Sequence, residues 1–293
     1  MLGLIHAQGV EELTSEEIRQ AVRLALQEDL GPGDVTTLAT IPEELQASAE
    51  MRAREPLIVA GLALAEAAFE EMSPSVRFVR HSNDGKHVSA DKALLQISGP
   101  ARSLLSAERV ALNFVQRLSG IATLTSQFVQ AVEGTPARIL DTRKTTPSWR
   151  RFEKYAITCG GGRNHRMGLY DMVLIKDNHL AALKRESPNA VAAAIQRARA
   201  HCPTLKIEVE ADTLEQVEQA VAAGADLILL DNMNPVQLRL AVQRCKSRCQ
   251  TEASGGITLA NVRAIAEAGV DFISIGALTH SARAVDIGLD FTL

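Results

Sequence analysis

Three short basic segments lie close together in a chain whose formal net charge is −4: Asp-Thr-Arg-Lys-Thr-Thr-Pro at 141–147, Gly-Gly-Gly-Arg-Asn-His-Arg at 160–166 and Leu-Ile-Lys-Asp-Asn-His at 174–179. Their cations, Arg143, Lys144, Arg163, Arg166 and Lys176, follow apolar runs or glycines instead of lining a helix that faces water. Guanidinium and ammonium groups gathered in this way suit carboxylate and phosphate oxygens. In an acidic chain such a local concentration predicts a pocket for a strongly anionic small molecule, with Thr142, Arg143, Lys144, His165, Arg166 and Lys176 as its candidate contacts. Lys176 ends the run Met172–Ile175, so it reads either as an interior nucleophile of lowered pKa or as a neutraliser of an anion.

Acidic residues follow at matching places. Glu208 and Glu210 have the period-two spacing of one strand face, Asp212 lies just beyond, and Asp231 ends the next apolar run. One reading pairs a carboxylate with a buried lysine. The other has Glu210 and Asp231 hold a hard divalent ion through oxygen, with waters and substrate phosphates completing its shell. Ser254-Gly255-Gly256 and Ser274-Ile275-Gly276 have the composition of loops whose backbone amides grip a phosphate at a helix amino terminus. Cations for an anionic acceptor, carboxylates for a metal and glycines for a phosphate together suit a sugar diphosphate plus an acidic acceptor.

Such residues need elements to aim them. Thr14-x-x-Glu17 is a capping-box pattern ahead of Ile18, Val22 and Ala25 at helical spacing. From Gln46 to Gly99 short strands alternate with turns, at Ala47–Arg54, Leu57–Val59, Val76–Arg80 and Ala93–Ser98, with a helix over Glu66–Met72, so residues 1–120 read as a small α+β domain with a leading helix. A long helix is predicted over 103–133 with a break at Gly120. Residues 121–293 then repeat strand and helix. The strands are Arg138–Thr142, Met172–Lys176, Lys206–Glu210, Leu227–Asp231, Thr251–Ser254 and Phe272–Gly276; the helices are Asn189–His201, Leu214–Ala223, Pro235–Lys246 and Leu259–Ala268. The alternation implies parallel strands covered by helices. Because polar residues collect at the carboxyl ends of the strands, an α/β fold with an incomplete, irregular barrel is expected rather than a doubly wound sheet.

Composition narrows the classes. A chain of 293 residues, 46% hydrophobic and 23% charged, can bury a full core. A pI near 6.0 and 3% aromatic residues speak against nucleic-acid binding, which uses basic faces and stacking rings. Cys159, Cys202, Cys245 and Cys249 form neither a CxxC pair nor a disulfide framework. Met1–His6 lacks the features of a signal peptide and no long apolar window occurs, so a cytoplasmic protein without membrane contact is expected.

Specific segments then carry a resemblance. Glu28–Gly31, Gly33–Thr37, Glu108–Asn113, Leu118–Thr123, Asp141–Thr145, Gly160–Arg166, Leu174–His179, Leu229–Asn232 and Phe272–Leu278 occur in the order typical of the quinolinate phosphoribosyltransferases, also called carboxylating nicotinate-nucleotide pyrophosphorylases, and the chain resembles that family over nearly its whole length. Pro147-Ser148-Trp149-Arg150 departs from the Pro-Gly-Leu-Arg of the family. The resemblance implies transfer of the phosphoribosyl group of phosphoribosyl pyrophosphate to quinolinate, with decarboxylation to nicotinate mononucleotide, by a homodimer that uses Mg²⁺. It implies that Arg109 reaches the partner's site and that Arg143, Lys144, His165, Arg166 and Lys176 bind quinolinate's carboxylates and the pyrophosphate. Glu210 and Asp231 then contact ribose and Mg²⁺, and Ser254–Gly256 with Ser274–Gly276 hold the 5-phosphate; Lys144, Lys176, Glu210 and Asp231 are the catalytic candidates. The carboxyl-terminal tail is expected to pack on the amino-terminal domain. The alternatives are a transferase of the same fold with another acceptor, a Schiff-base aldolase using Lys176 or Lys144, and a metabolite sensor without turnover.

Overall fold

A computed structural model describes residues 12–292, so Met1–His6 lie outside the described residues. In chain order the elements are α1 (Ser15–Leu30), α2 (Val35–Thr40), β1 (Gln46–Ala53), β2 (Leu57–Ile58), α3 (Leu62–Met72), β3 (Arg77–Arg80), β4 (His87–Val88), β5 (Ala93–Pro100), α4 (Ala101–Ala131), β6 (Arg138–Leu140), α5 (Arg150–Cys159) and β7 (Val173–Ile175). They continue with α6 (Asp177–Ala182), α7 (Ala190–His201), β8 (Ile207–Ala211), α8 (Leu214–Ala223), β9 (Leu227–Asp231), α9 (Pro235–Cys245), β10 (Gln250–Ser254), α10 (Val262–Ala266), β11 (Phe272–Ser274), α11 (Ala277–His280) and β12 (Ile287–Thr292). Two compact units result: one holds the described residues through Ser126, Thr146–Gly161 and the chain from Leu278 on, the other Gln127–Thr145 and Gly162–Ala277.

The first unit is built on an antiparallel sheet in the order β12-β1-β5-β3. β1 alternates, burying Ala47, Ala49, Met51 and Ala53 on one face, as a half-covered strand must. Its free edge is closed by β12, with Ala53 opposite Ile287 and Ser48 opposite Thr292. The capping box of α1 is present: Thr14 Oγ1 accepts the Glu17 amide at 3.2 Å and Glu17 Oε2 the Thr14 amide at 2.8 Å. No break occurs at Gly120, where α4 runs on without interruption. A Cβ there would meet the Arg283 carbonyl oxygen at 2.0 Å, so the glycine serves a close backbone approach that outweighs its cost of roughly 1 kcal/mol in a helix. In the segment that departs from the family pattern, Ser148 sits in the left-handed region at φ 65. Trp149 beside it stacks on Phe114 at 5.1 Å and meets Phe152 edge-on at 6.2 Å.

The second unit holds six parallel strands in the order β6-β11-β10-β9-β8-β7. β7 to β11 lie side by side in chain order, and β6 returns to the far edge beside β11, which is the course of a barrel and not of a doubly wound sheet. Among the described residues no ladder joins β6 to β7, so the barrel is incomplete. Instead Arg163 forms a single parallel bridge with Leu140 along the free edge of β6. Helices α7, α8 and α9 pack in succession along the strands. α8 shows why they start and stop where they do: Thr213 and Gln216 form a capping box, and Gly224 at φ 79 ends the helix. Three of the strands, β6, β7 and β11, are shorter than the sequence suggests, with Thr142, Lys176 and Gly276 in the loops beyond them.

Register puts chemistry on one sheet face. Parallel partners point the same way, and Leu174 pairs with Glu208, Leu229 with both Glu210 and Glu252, and Ser254 with Asp231. With a side-chain period of two, that face carries Glu208, Glu210, Asp231, Glu252 and Ser254.

Candidate active site

The basic segments are tied together by a buried carboxylate. Asp141 follows β6, is fully buried, and accepts the His165 amide at 2.8 Å and Asn164 Nδ2 at 2.6 Å. Arg163 locks the same join, donating its amide to Ile139 O at 2.9 Å while its carbonyl accepts the Asp141 amide at 3.1 Å. The loop that begins Thr142-Arg143-Lys144 is thereby anchored to the stretch Arg163–Arg166. Thr142 Oγ1 accepts the amide of Lys144, whose side chain is exposed. Arg166 is half-buried and donates to Met172 O at 3.1 Å. Its pKa is lowered by burial first and then by the charge of Arg143. Two guanidiniums held that close repel each other, and an anion shared between them relieves both.

Lys176 caps β7, 49% exposed, and donates to Glu210 Oε2 at 3.2 Å. The carboxylate that meets a lysine is thus the outer one of β8, and the lysine is not buried. Glu210, Asp212 and Asp231 bring carboxylate oxygens within 4.8 Å of one another. This all-oxygen, partly exposed donor set fits Mg²⁺, which prefers a few carboxylates and keeps room for waters and phosphate oxygens. Asp231 is oriented from both sides, by Ser254 Oγ donating to Oδ1 at 2.5 Å and Asn232 Nδ2 donating to Oδ2 at 2.6 Å.

Gly255 and Gly256 follow with φ 89 and 60, and a Cβ on Gly255 would meet Asn232 Oδ1 at 2.1 Å. The expected helix start is not adjacent: α10 begins at Val262, after a turn in which Asn261 Oδ1 accepts the Thr258 amide. The amides on offer are therefore those of the exposed glycine loop itself. Ser274 and Ile275 are buried at the end of β11, where the Ile275 amide donates to Leu140 O at 3.0 Å, and Gly276 follows them. Arg109 is exposed on α4, in the first unit, whereas every other candidate lies in the second.

Deeper on the same face His165, a candidate contact, meets Glu208, whose role the sequence left open, and Glu252, which the sequence reading missed. His165 Nε2 lies 3.0 Å from Glu208 Oε2 and 3.5 Å from Glu252 Oε2, and the three side chains are 8%, 0% and 1% exposed. Burial and the neighbouring charge of Glu252 push Glu208 up to about 7. Burial disfavours charge on the His165 ring, whereas Glu252 and Glu208 draw a proton to its Nε2 side; the Arg166 N–H donated to Nδ1 at 2.8 Å leaves no place for a second ring proton. Glu208 was signalled by its period-two spacing with Glu210, whereas Glu252, within the mostly polar run Gln250–Ser254, carried no comparable signal. Asp212 was signalled by continuation of the period-two row.

A family model described as the quinolinate phosphoribosyl transferase C-terminal domain matches residues 121–290, and its N-terminal counterpart matches 34–119. The carboxylating nicotinate-nucleotide pyrophosphorylase of Mycobacterium leprae is 45% identical over 278 residues, covering 93% of this chain and 96% of that protein. The chain belongs to the quinolinate phosphoribosyltransferase family. A probable carboxylating pyrophosphorylase of Bacillus subtilis is 43% identical, over 91% of this chain and 90% of its own. In three dimensions the nicotinate-nucleotide pyrophosphorylase of Francisella tularensis superposes with a TM-score of 0.90 at 35% identity, over 97% of this chain and 99% of the other. The fold this likeness covers is α/β, with a six-stranded parallel sheet that does not close among the described residues. Among the described residues no helix is long and apolar enough to cross a membrane.

Proposed function

We propose that this chain transfers the phosphoribosyl group of phosphoribosyl pyrophosphate to quinolinate with loss of CO₂, a step of NAD biosynthesis that yields nicotinate mononucleotide and pyrophosphate. One observation carries the reading. Arg166 stands in the field of both Arg143 and Glu208, and Glu208 shares a face of β8 with Glu210, which meets Lys176 and belongs to the carboxylate trio, so groups for two anions and for a ribose with its metal lie along one sheet face.

In this reading Arg143, Arg166, Lys144 and Lys176 hold the acceptor's carboxylates and the pyrophosphate, with His165 behind them. They place the pyridine nitrogen against C1 of the ribose, which converts an encounter in solution into a step within one complex. As the nitrogen bonds to C1, the C1–oxygen bond breaks and its electron pair leaves with the pyrophosphate, whose growing charge the cations stabilise. Glu210 and Asp231 steady the positive charge that develops on the ribose. The electron pair of the breaking carbon–carboxylate bond then stays on the ring carbon, stabilised by the adjacent positive nitrogen, CO₂ departs, and that carbon takes up a proton. Glu210, Asp212 and Asp231 would hold Mg²⁺, which would offset charge on the diphosphate oxygens. The glycine loop at 254–256 and Ser274–Gly276 take the 5-phosphate. The enzyme works in the cytoplasm as a homodimer, the exposed Arg109 of each chain completing the other's site.

An aldolase would need a desolvated amine with a free lone pair, and Lys176 is instead half-exposed and ion-paired. Purified protein given quinolinate, phosphoribosyl pyrophosphate and Mg²⁺ should release CO₂ and nicotinate mononucleotide in equal amounts; folded protein that releases neither rejects the proposal. For the dimer, Arg109→Ala and Lys144→Ala chains, each inactive, should regain part of the activity when mixed. No recovery after verified subunit exchange rejects the shared site.

A further inference from the structure

His165 has its ring closed off on both sides. Nδ1 accepts the backbone N–H of Arg166 at 2.8 Å, and Nε2 faces Glu208 at 3.0 Å and Glu252 at 3.5 Å. The three side chains have the spacing of a small metal site, with ligand atoms within 4.8 Å of one another. A metal on Nε2, however, would move the ring proton to Nδ1, directly against the Arg166 N–H. An imidazolium would place a hydrogen there too. The arrangement thus selects the Nε2–H tautomer, and the proton that the two carboxylates attract stays on the Nε2 side of the cluster.

We propose that Glu208 and Glu252 are positioning residues for the acceptor site: Glu208 accepts the Nε2–H and Glu252, 3.5 Å from the same nitrogen, adds its charge, and together they hold the His165 ring so that its Nδ1 fixes the Arg166 amide, and with it the Arg166 guanidinium. This rests on the reading of the site as one for a pyridine dicarboxylate. Arg166 needs such a brace because it stands in the field of Arg143; its guanidinium donates to Met172 O, while Glu208 and Asp171 act on it by charge. Asp141 supplies the other half, holding the His165 amide at 2.8 Å. Burying two carboxylates around one imidazole carries a desolvation cost that apolar packing would avoid, so a purely structural role would be better served by other side chains.

The first test needs no turnover. Long-range ¹H–¹⁵N correlation of the imidazole rings, with His165→Gln to assign the signal, should show His165 as the Nε2–H tautomer; protonation at Nδ1, alone or with Nε2, overturns the proposal. The second is kinetic. Glu252→Gln and Glu208→Gln should raise KM for quinolinate about tenfold with kcat within about a factor of two, while the melting temperature stays level or rises. A lowered melting temperature with unchanged KM overturns it. In a double-mutant cycle His165→Gln should cost about tenfold in KM beside Arg166 but almost nothing in an Arg166→Ala background. Additive losses would mean that the ring touches substrate itself, against the proposal. Wild-type turnover is the control: its absence would reject the functional reading, while the ring spectrum still decides the brace.

Discussion

Glu208 and Glu210 stand two residues apart on β8, point to the same face and differ in almost everything else. Glu210 lies at the mouth of the barrel, 12% exposed, beside Lys176 and within reach of Asp212 and Asp231. Glu208 lies one pleat deeper, fully buried, with a histidine and a second carboxylate for company. The outer residue can exchange partners with solvent, metal and substrate; the inner one has no such freedom and can act only through what it touches. One strand thus serves both for binding and for bracing what binds, and depth along it decides which.

The sharpest way to break this contrast is Glu210→Gln, which keeps shape and removes charge. Transition-state stabilisation at the ribose and one metal oxygen are lost together, so kcat/KM should fall by about 10² to 10³. The half-saturating Mg²⁺ concentration should rise, whereas Glu208→Gln should leave it in place. Equal shifts for the two variants, measured as initial rates against Mg²⁺, would erase the distinction drawn between mouth and interior.

A finer test uses the supports of the mouth itself. Asp231 is aimed by Ser254, whose hydroxyl donates at 2.5 Å. Ser254→Ala should cost about tenfold in kcat/KM and leave the melting temperature nearly unchanged, since outer partners of ligating carboxylates orient them more than they stabilise the fold. An unchanged rate would mean that the Asn232 contact to Oδ2 is sufficient to orient Asp231.

The mouth was far more legible in the sequence than the brace. Lys176 and Asp231 each end an apolar run, Arg143 and Lys144 lie just beyond one and Glu210 stands near the end of its strand, and strand ends are where parallel α/β folds present chemistry. Glu252 instead lies inside a strand, and its meaning depends on His165, brought to it only by the anchoring of Arg163 and Asp141. The same limit hid other elements. α5 was not anticipated because its middle, Glu153-Lys154, is charged yet buried, so no apolar period marks its inward face. β12 contains Gly288 and Asp290 and exists through its pairing with β1, far earlier in the chain. Gly120 misled in the opposite direction, a local helix breaker kept because Arg283 passes so near.

Backbone strain extends the comparison at the smallest scale. Asn232 and Ser148 both occupy the left-handed region, at φ 54 and 65. Asn232 uses that conformation to hand its side chain to Asp231, and asparagine tolerates it better than most residues. Ser148 is exposed, and its conformation is one that glycine adopts without steric cost. Ser148→Gly should therefore relieve strain and stabilise the fold by about 0.5 to 1 kcal/mol, less the extra freedom that glycine gives the unfolded chain. The melting temperature should rise by a degree or two at constant kcat/KM, by the usual scaling for a chain of this size. Asn232→Gly removes the same strain together with the contact to Asp231, so its rate should fall even where its stability does not. Thermal scans and rates on the pair separate strain that serves the site from strain that does not; a rate loss in Ser148→Gly would place the 146–150 loop among the segments that shape catalysis.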